Sequence, residues 1–526
     1  MVNRKSEGKI VTDRITVDSI EKIKELVYNL VLDSQKSLKN CDYLDVRAEA
    51  SESKFATAQK GNPKESAEES QMSLGVRVIA GDGLKAPGYS SSHIGPSGLG
   101  NIEGFIKKAI EHAWRRALAN ASQKAEAKRI LGPLGESIHT TNLARVEIYK
   151  DTLALDFKED PRGVPLESII KEAVGVSELV ENLYESRGYN MIHLYTTLVR
   201  QLFASSEGAL IDQTYSLTEG FVYIIVGDES HYDHLGGRCG WEAIHGENTF
   251  NKTFRDFALD LGKETIELSN ADILPSTDNE VVVVTDPHYN ALLAHEIIGH
   301  PVEGDRALKM ETAYAGRSWL LRNLSENQVG KRVASDLVTA YSDTSLAGYG
   351  QYKYDSEGVM ARRVVHIDRG IFRGFLNSRE TASILGEEPN GAMRATDAYF
   401  IPLVRMTNTV FAPGDRKPED IIREVDDGYY LVSHRTPSIG ESRENFTISA
   451  RRVYKIKNGE IVKLYRSGGI TSDSRDYLMK IDAVGNDFRV IPMPNCGKGV
   501  PMQALRVGNG GPTMRSRARL AGGVRG

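Results

Sequence analysis

Apolar residues Ile20, Ile23, Leu26, Val27, Leu30 and Val31 recur every three or four positions, which predicts an amphipathic helix from Asp18 to about Lys39. The period then drops to two. A strand is expected near Tyr43 to Ala50, and another where Met72, Leu74, Val76 and Val78 alternate with Ser73, Gly75 and Arg77 before the Gly81-Asp82-Gly83 turn. Helical spacing returns at Ile102, Phe105, Ile106, Ala109, Ile110, Ala113, Trp114 and Ala117, and again from about Ser168 to Tyr184. Strands follow at Ile192 to Ala204, Ala209 to Thr214 and Glu219 to Val226, with a turn at Ser205-Ser206-Glu207-Gly208. Gly227 to Gly262 is polar and Gly-rich with little periodicity and reads as loop, and Asp272 to Ser276 resembles a linker.

Val281 to Val284 is a short apolar run that suits a buried strand, and a helix opens behind it. Asp286 supplies a capping carboxylate, and Pro287 fits the first helical position, where its missing N–H costs nothing. From Gly350 onward short strands dominate, among them Arg363 to Ile367, Gly370 to Leu376, Asn445 to Lys455 and Glu460 to Leu464, with a helical turn at Ile421 to Val425. These elements predict an α+β chain. A mixed α/β N-terminal domain, residues 1–270, precedes a β-rich C-terminal domain, residues 271–526, that carries the Asp286 helix.

The length of 526 residues fits such a division, and 40% apolar with 26% charged residues describes a chain able to bury large cores. The apolar stretches are far shorter than the roughly 20 residues that cross a bilayer, so no membrane span is expected. Met1 to Lys9 carries charge without an apolar segment behind it, which reads as a cytoplasmic protein. A net charge of -5 argues against nucleic acid as a partner. One stretch departs from this balance: Arg489 to Gly526 holds no acidic residue but contains Arg489, Lys498, Arg506, Arg515, Arg517, Arg519 and Arg525. It reads as a solvated tail with loop charges, or as a site for anionic groups such as a peptide carboxylate. The three cysteines, Cys41, Cys239 and Cys496, are too few and too scattered for a disulfide framework.

Candidate chemistry sits on the Asp286 helix, in His295-Glu296-Ile297-Ile298-Gly299-His300. In the familiar H-E-x-x-H pattern the two histidines share a helical face, but an i, i+5 pair on a regular helix diverges by roughly 140°. Something must bend. A π-bulge would absorb the extra residue, or Gly299 would end the helix ahead of Pro301. If the imidazoles converge, a metal still lacks a third protein ligand, and Glu296 is placed to act as general base.

The longer run His295-Glu296-Ile297-Ile298-Gly299-His300-Pro301-Val302-Glu303-Gly304-Asp305 resembles the signature of the TldD/PmbA metallopeptidases, specifically the metal-bearing TldD branch. Gly75-Val76-Arg77-Val78-Ile79, Ser206-Glu207-Gly208, Arg405-Met406-Thr407-Asn408-Thr409, Val484-Gly485-Asn486-Asp487 and Cys496-Gly497-Lys498 match in the family's order. The resemblance implies Zn2+ held by His295, His300 and Cys496, with Glu296 as catalytic base. It also implies loosely specific hydrolysis of unfolded or extended peptides, and a dimer, either of two copies or with a PmbA-like subunit. Glu303 and Asp305 would orient a ligating imidazole, bind Arg, or form a plain salt bridge. Two alternatives carry different chemistry: a metal-dependent amidohydrolase acting on non-peptidic amides, and an interaction protein that modulates DNA gyrase.

His231, His234, Cys239 and His245 form a second His/Cys group whose spacing matches no usual zinc finger, so a polar loop facing substrate or a partner is expected there. Gly508-Asn509-Gly510-Gly511 lacks the Lys-Ser/Thr of a phosphate loop, and no Gly-x-Ser-x-Gly elbow is present. Tyr349 and His434 are weaker candidates for an electrophile.

Overall fold

The computed structural model describes residues 14–184, 188–314 and 316–523; Met1 to Lys9 and Arg525 lie outside them. The first part of the chain is built on two long antiparallel strands, Cys41–Gln59 and Asn62–Ala80, joined by a tight turn in which Lys60 and Gly61 both take positive φ (48° and 72°). A seven-stranded sheet grows from them in the order Ala86–His93, Asn62–Ala80, Cys41–Gln59, Gly188–Ser205, Leu210–Val226, Lys150–Ala154, with Glu229–Gly237 also paired to Leu210–Val226. Strands of this length cross two separate cores. Helices Ser19–Ser37 and Ile102–Leu131 bury Ile20, Val27, Ile106 and Ile110 against Leu44, Val46, Leu74 and Val76. Helices Leu166–Glu181 and Phe254–Ser269 bury Val176, Val180, Phe254 and Leu261 against Ile192, Leu194, Val222 and Ile224.

The second part is β-rich, and the chain as a whole is α+β. Strand Asp427–Ile439 pairs in parallel with Val281–Thr285 and antiparallel with Asn445–Lys457; Met514–Gly522 and Gly468–Asp473 complete the ring, so five strands close on themselves. A six-stranded sheet runs beside this barrel, ending in Asn408–Phe411, Gln503–Gly511 and Arg489–Lys498. Only Pro512 and Thr513 separate the sheet strand Gln503–Gly511 from the barrel strand Met514–Gly522, which ties the two together. Helix Pro287–Leu293 lies between them. Its cap Asp286 accepts the N–H of Tyr289 at 2.7 Å, the Tyr289 hydroxyl donates to the Ile448 carbonyl in the barrel, and Asn290 donates to the Pro512 carbonyl in the linking turn.

Several expectations are corrected. Glu229–Gly237 is a strand and Phe254–Ser269 a helix capped by Thr253, inside the stretch read as loop. The strand escaped notice because its inward positions are Glu229, His231 and Asp233: the alternation is there, but the buried side is polar. Asp272–Ile273 is no linker but pairs with Tyr465–Arg466, and of Gly370 to Leu376 only Ile371–Phe372 is strand. Leu210–Val226 is one strand where two were expected. Far from being a solvated tail, the basic C-terminal stretch forms three strands, and Lys498, Arg506 and Arg515 reach carboxylates elsewhere in the chain.

Buried ion pairs join the first sheet to the second part. Arg77 bridges Asp45 and Glu357 at 2.7 and 2.6 Å, Arg379 clasps Glu207 with two hydrogen bonds of 2.6 and 2.9 Å, and Glu219 receives both Arg506 and the Tyr349 hydroxyl at 2.9 Å. Gly75 is the point of closest approach, where an added Cβ would stand 2.0 Å from the Ala398 carbonyl oxygen. Replacement Gly75→Ala is therefore expected to force that loop outward and cost about 1–3 kcal/mol, read as a lower urea midpoint. An unchanged midpoint would show that the loop is not held there.

Candidate metal centre

Residues Ala294–Gly299 form a π turn continuing helix Pro287–Leu293, and the His300 N–H donates to the His295 carbonyl at 3.1 Å, an i+5 bond. The wider turn brings the two imidazoles together, with ring centroids 4.7 Å apart and planes at 89°. Gly299 is the last residue of this turn, with His300 capping it at helical dihedrals, so both expected devices occur together; the bare Cα of Gly299 makes room for Met406, whose sulfur would lie 2.8 Å from a Cβ. Cys496 arrives on strand Arg489–Lys498, which bulges between Met493 and Cys496, and sets its Sγ 3.8 Å from His300 Nε2. The donor atoms of His295, His300 and Cys496 all lie within 4.8 Å of one another, and all three residues are buried.

The tautomers follow from the outer partners. Asn509 donates its amide N–H to the Thr409 carbonyl at 3.0 Å, so its Oδ1 faces His295 and accepts from Nδ1 at 2.8 Å. Glu303 accepts from His300 Nδ1 at 3.0 Å. His300 Nε2 therefore presents a lone pair, whereas against its burial Cys496, Glu296 and Asn509 push His295 up to about 9, so that ring would shed its Nε2 proton to a metal. Glu303 is fully buried and also receives Arg306 at 2.8 Å, Lys498 at 3.2 Å and the Met406 N–H at 3.2 Å; Lys498 reaches Asp305 at 2.6 Å as well. The expected options for Glu303 are thus realised together: it orients an imidazole and binds cations.

Electrostatics prepare the thiol. Burial would raise Cys496, but Arg405, His300 and His295 outweigh it and hold the group well below an ordinary thiol, in the thiolate form that ligates metals. Burial instead pushes Cys41 up to about 11 and Cys239 up to about 12. Burial and Arg443 keep His300 neutral. Glu296 lies in the same turn, its carboxylate paired with the Arg443 guanidinium; against the burial that would raise it, Arg443, His295 and His300 hold it below the usual carboxylate range. A neutral imidazole, a second imidazole that gives up its Nε2 proton on metal binding and a thiolate make a donor set that suits zinc.

A cavity of about 170 Å³ opens beside His295 and Glu296, walled by His231, His234, His288, His434, Pro492 and Asn495 among others. His434 packs on His288 with ring centroids 4.5 Å apart, whereas Tyr349 donates to Glu219 and is not part of this wall. The second His/Cys group does not assemble: His231 and His234 face the cavity, while His245 is an exposed partner of Glu159. Among the described residues only His295, His300 and Cys496 form a metal-competent cluster.

Sequence reasoning missed Asn509, Arg306 and Arg443. Asn509 was examined only as part of a failed phosphate loop, yet its glycine neighbours carried a signal: a Cβ at Gly508 would meet Asn408 Oδ1 at 2.1 Å, and one at Gly510 would meet the Arg489 carbonyl at 2.0 Å. Such glycines mark a strand packed closely on other backbone. Arg443, 147 residues from Glu296, left no local signal beyond its charge.

The sequence profile of the PmbA/TldA metallopeptidase C-terminal domain matches residues 278–522, and that of the central domain matches residues 159–271. The chain belongs to the TldD/PmbA family. A metalloprotease of Methanocaldococcus jannaschii is 26% identical over 93% of this chain and 98% of its own length. A zinc metalloprotease TldD homolog of Saccharolobus solfataricus is 31% identical over 46% of this chain and 52% of that protein. The crystal structure of TldE from Thermococcus kodakarensis superposes with a TM-score of 0.68 at 18% identity, covering 94% of this chain and 99% of that one. A Thermotoga maritima structure described as a modulator of a DNA gyrase gives 0.67 at 15% identity, over 95% of this chain and 100% of that one; it shares the fold.

Within the TldD/PmbA fold of this chain, the outer hydrogen bonds make a prediction. Asn509→Ala frees the His295 ring and is expected to weaken zinc binding by roughly 10- to 100-fold in competition with a chromogenic chelator. Wild-type affinity would mean that the ring is aimed by packing alone.

Proposed function

We propose that this chain is a zinc-dependent peptidase that cleaves unfolded or extended peptides with loose sequence specificity. The observation that carries the reading is the convergence of His295, His300 and Cys496 beside Glu296 at the edge of an open cavity. Zinc bound there would supply a Lewis acid that polarises a peptide carbonyl and acidifies water.

The chain's own groups do the rest. Glu296 Oε1 or Oε2 accepts the proton of the attacking water and later returns it to the leaving amine nitrogen, which requires the carboxylate form that Arg443 and the two histidines favour. Arg443 also fixes the carboxylate's direction and brings a guanidinium next to the reacting groups. Asn509 and Glu303 keep the ligating rings from turning.

Loose specificity is supported by the cavity wall. Strand Arg489–Lys498 pairs on one side only, with Gln503–Gly511, among the described residues, and contributes Pro492, Met493, Pro494 and Asn495 to the cavity. An extended peptide laid along such an edge is held through its backbone, whatever its side chains. The chain acts with a second subunit, another copy or a PmbA-like chain. A cytoplasmic location fits the described helices, none of which is long and apolar enough to cross a membrane.

Substitution Glu296→Gln is expected to leave zinc content at the wild-type level while cutting peptide hydrolysis by roughly 10²- to 10⁴-fold, measured with an unfolded casein substrate and with small amides in parallel. Full activity in the variant would remove Glu296 from the mechanism, and hydrolysis of the small amides alone would replace the peptidase by an amidohydrolase. Cys496→Ser, by contrast, is expected to lose zinc and activity together, as read by metal analysis of the purified protein.

A further inference from the structure

A second cavity, of about 70 Å³, lies where the first sheet meets the second part of the chain, away from the metal centre. Arg47, Glu49 and Tyr215 enter it from the sheet, Arg238 from the segment after Glu229–Gly237, and Tyr352 and Arg394 from the opposite side. Three guanidiniums thus face one space, and among the described residues none of them is salt-bridged to a carboxylate, unlike Arg77, Arg379 and Arg506 close by. Arg47, 6% exposed, spends one nitrogen on the Phe400 carbonyl at 3.1 Å and leaves Nε without a partner. Arg394, 5% exposed, donates to the Met406 and Arg506 carbonyls at 2.8 and 3.3 Å. Arg238 stacks over the Tyr215 ring at 3.8 Å, and its buried Nε is likewise without a partner.

Among the described residues the acids in the wall, Glu49, Asp355 and Asp397, form no ion pair with these arginines, and Asp397 Oδ1 accepts the Tyr399 N–H at 2.7 Å. Glu49 accepts from Gln201 at 2.7 Å, and burial pushes its carboxyl up to about 8, so it is protonated at neutral pH. The oxygens of Asp355 accept the N–H groups of Glu357, Val359 and Met393. Burial also presses Arg394 down to about 10, as expected of a cation whose partner is missing. Buried guanidiniums with unused donors are costly unless an anion completes them.

We propose that this cavity is a second binding site, for a small anion bearing two or three carboxylates, held by Arg47, Arg238 and Arg394. The planar fork of arginine matches a carboxylate with two parallel hydrogen bonds, and the cavity is small, so only a compact carboxylate-bearing group enters it. Carboxylates could arrive on a free polycarboxylic acid or on an acidic peptide. Because the site spans the sheet and the second part of the chain, its occupant would clamp them together.

Isothermal titration calorimetry on the full-length protein with propane-1,2,3-tricarboxylate and, separately, with a triglutamate peptide tests this. Saturable binding of either probe is expected, at least tenfold weaker in Arg238→Gln and less weakened in Arg238→Lys, which keeps the charge but not the fork. Among the described residues Arg238 makes no hydrogen bond that its loss would break, and Arg47→Gln gives an independent second variant. Preference for the tricarboxylate identifies a free acid as the occupant, and preference for triglutamate identifies a peptide. Absence of binding by both probes, or equal affinity in wild type and both Gln variants, overturns the proposal; carboxylates bound at the metal centre would show the latter pattern.

Discussion

Glu303 is the residue on which the metal centre turns. It has no exposure, and burying a carboxylate without compensation would cost several kcal/mol. Compensation comes from different places at once: the His300 ring on the same helical segment, Arg306 one turn on, Lys498 from a strand near the C-terminus, and the Met406 N–H from a loop between. Lys498, the hydrogen bond from His300 and Arg306 hold Glu303 well below the usual carboxylate range despite its burial. The same contacts position the chemistry, since a ring that donates Nδ1 to Glu303 has Nε2 free to bind a metal. Lys498, two residues beyond Cys496, is the link that carries the thiolate strand to the histidine helix. Removing Arg306 or Lys498 would leave a buried carboxylate short of counter-charge, so the members of the cluster depend strongly on one another.

The rest of the fold brings those segments into register. A closed barrel on one side and a six-stranded sheet on the other grip helix Pro287–Leu293, and the Pro512-Thr513 turn fastens them to each other. Arg443 shows how tightly the loops are specified: it takes a left-handed φ of 61°, unusual for a residue with a side chain, while its carbonyl accepts from Ser474 and its guanidinium reaches Glu296. The first sheet contributes His231 and His234 to the cavity wall, so the space beside the metal centre is made by both parts of the chain.

How much of this was legible in the sequence depended on whether the signal was local. The i+5 histidine spacing demanded a bend, and a π turn is what the helix contains. For Glu303 and Asp305, a few residues further on, the same run suggests groups that orient an imidazole, bind Arg or form a plain salt bridge. The short motifs Gly75-Val76-Arg77 and Ser206-Glu207-Gly208, weak as catalytic signals, contain the glycine and the charges that dock the first sheet: Gly75 under Ala398, Arg77 on Glu357, Glu207 on Arg379. Arg443 and Asn509 act across long separations, and nothing in their immediate neighbourhood has a helical or strand period that points to the helix they serve. Glu229–Gly237 was hidden for another reason, because a strand that buries Glu229, His231 and Asp233 looks like loop to any reading based on apolar alternation.

The central claim is that two imidazole nitrogens and one thiolate, aimed by Asn509, Glu303 and Arg405, make a zinc site in this chain. X-ray absorption at the zinc edge, on protein purified without added metal and then reconstituted with one equivalent of zinc, addresses it directly. The arrangement predicts one sulfur scatterer at about 2.3 Å and two imidazole nitrogens at about 2.0 Å, completed by a light atom. A spectrum without sulfur in the first shell, or with a six-coordinate oxygen environment, would contradict it.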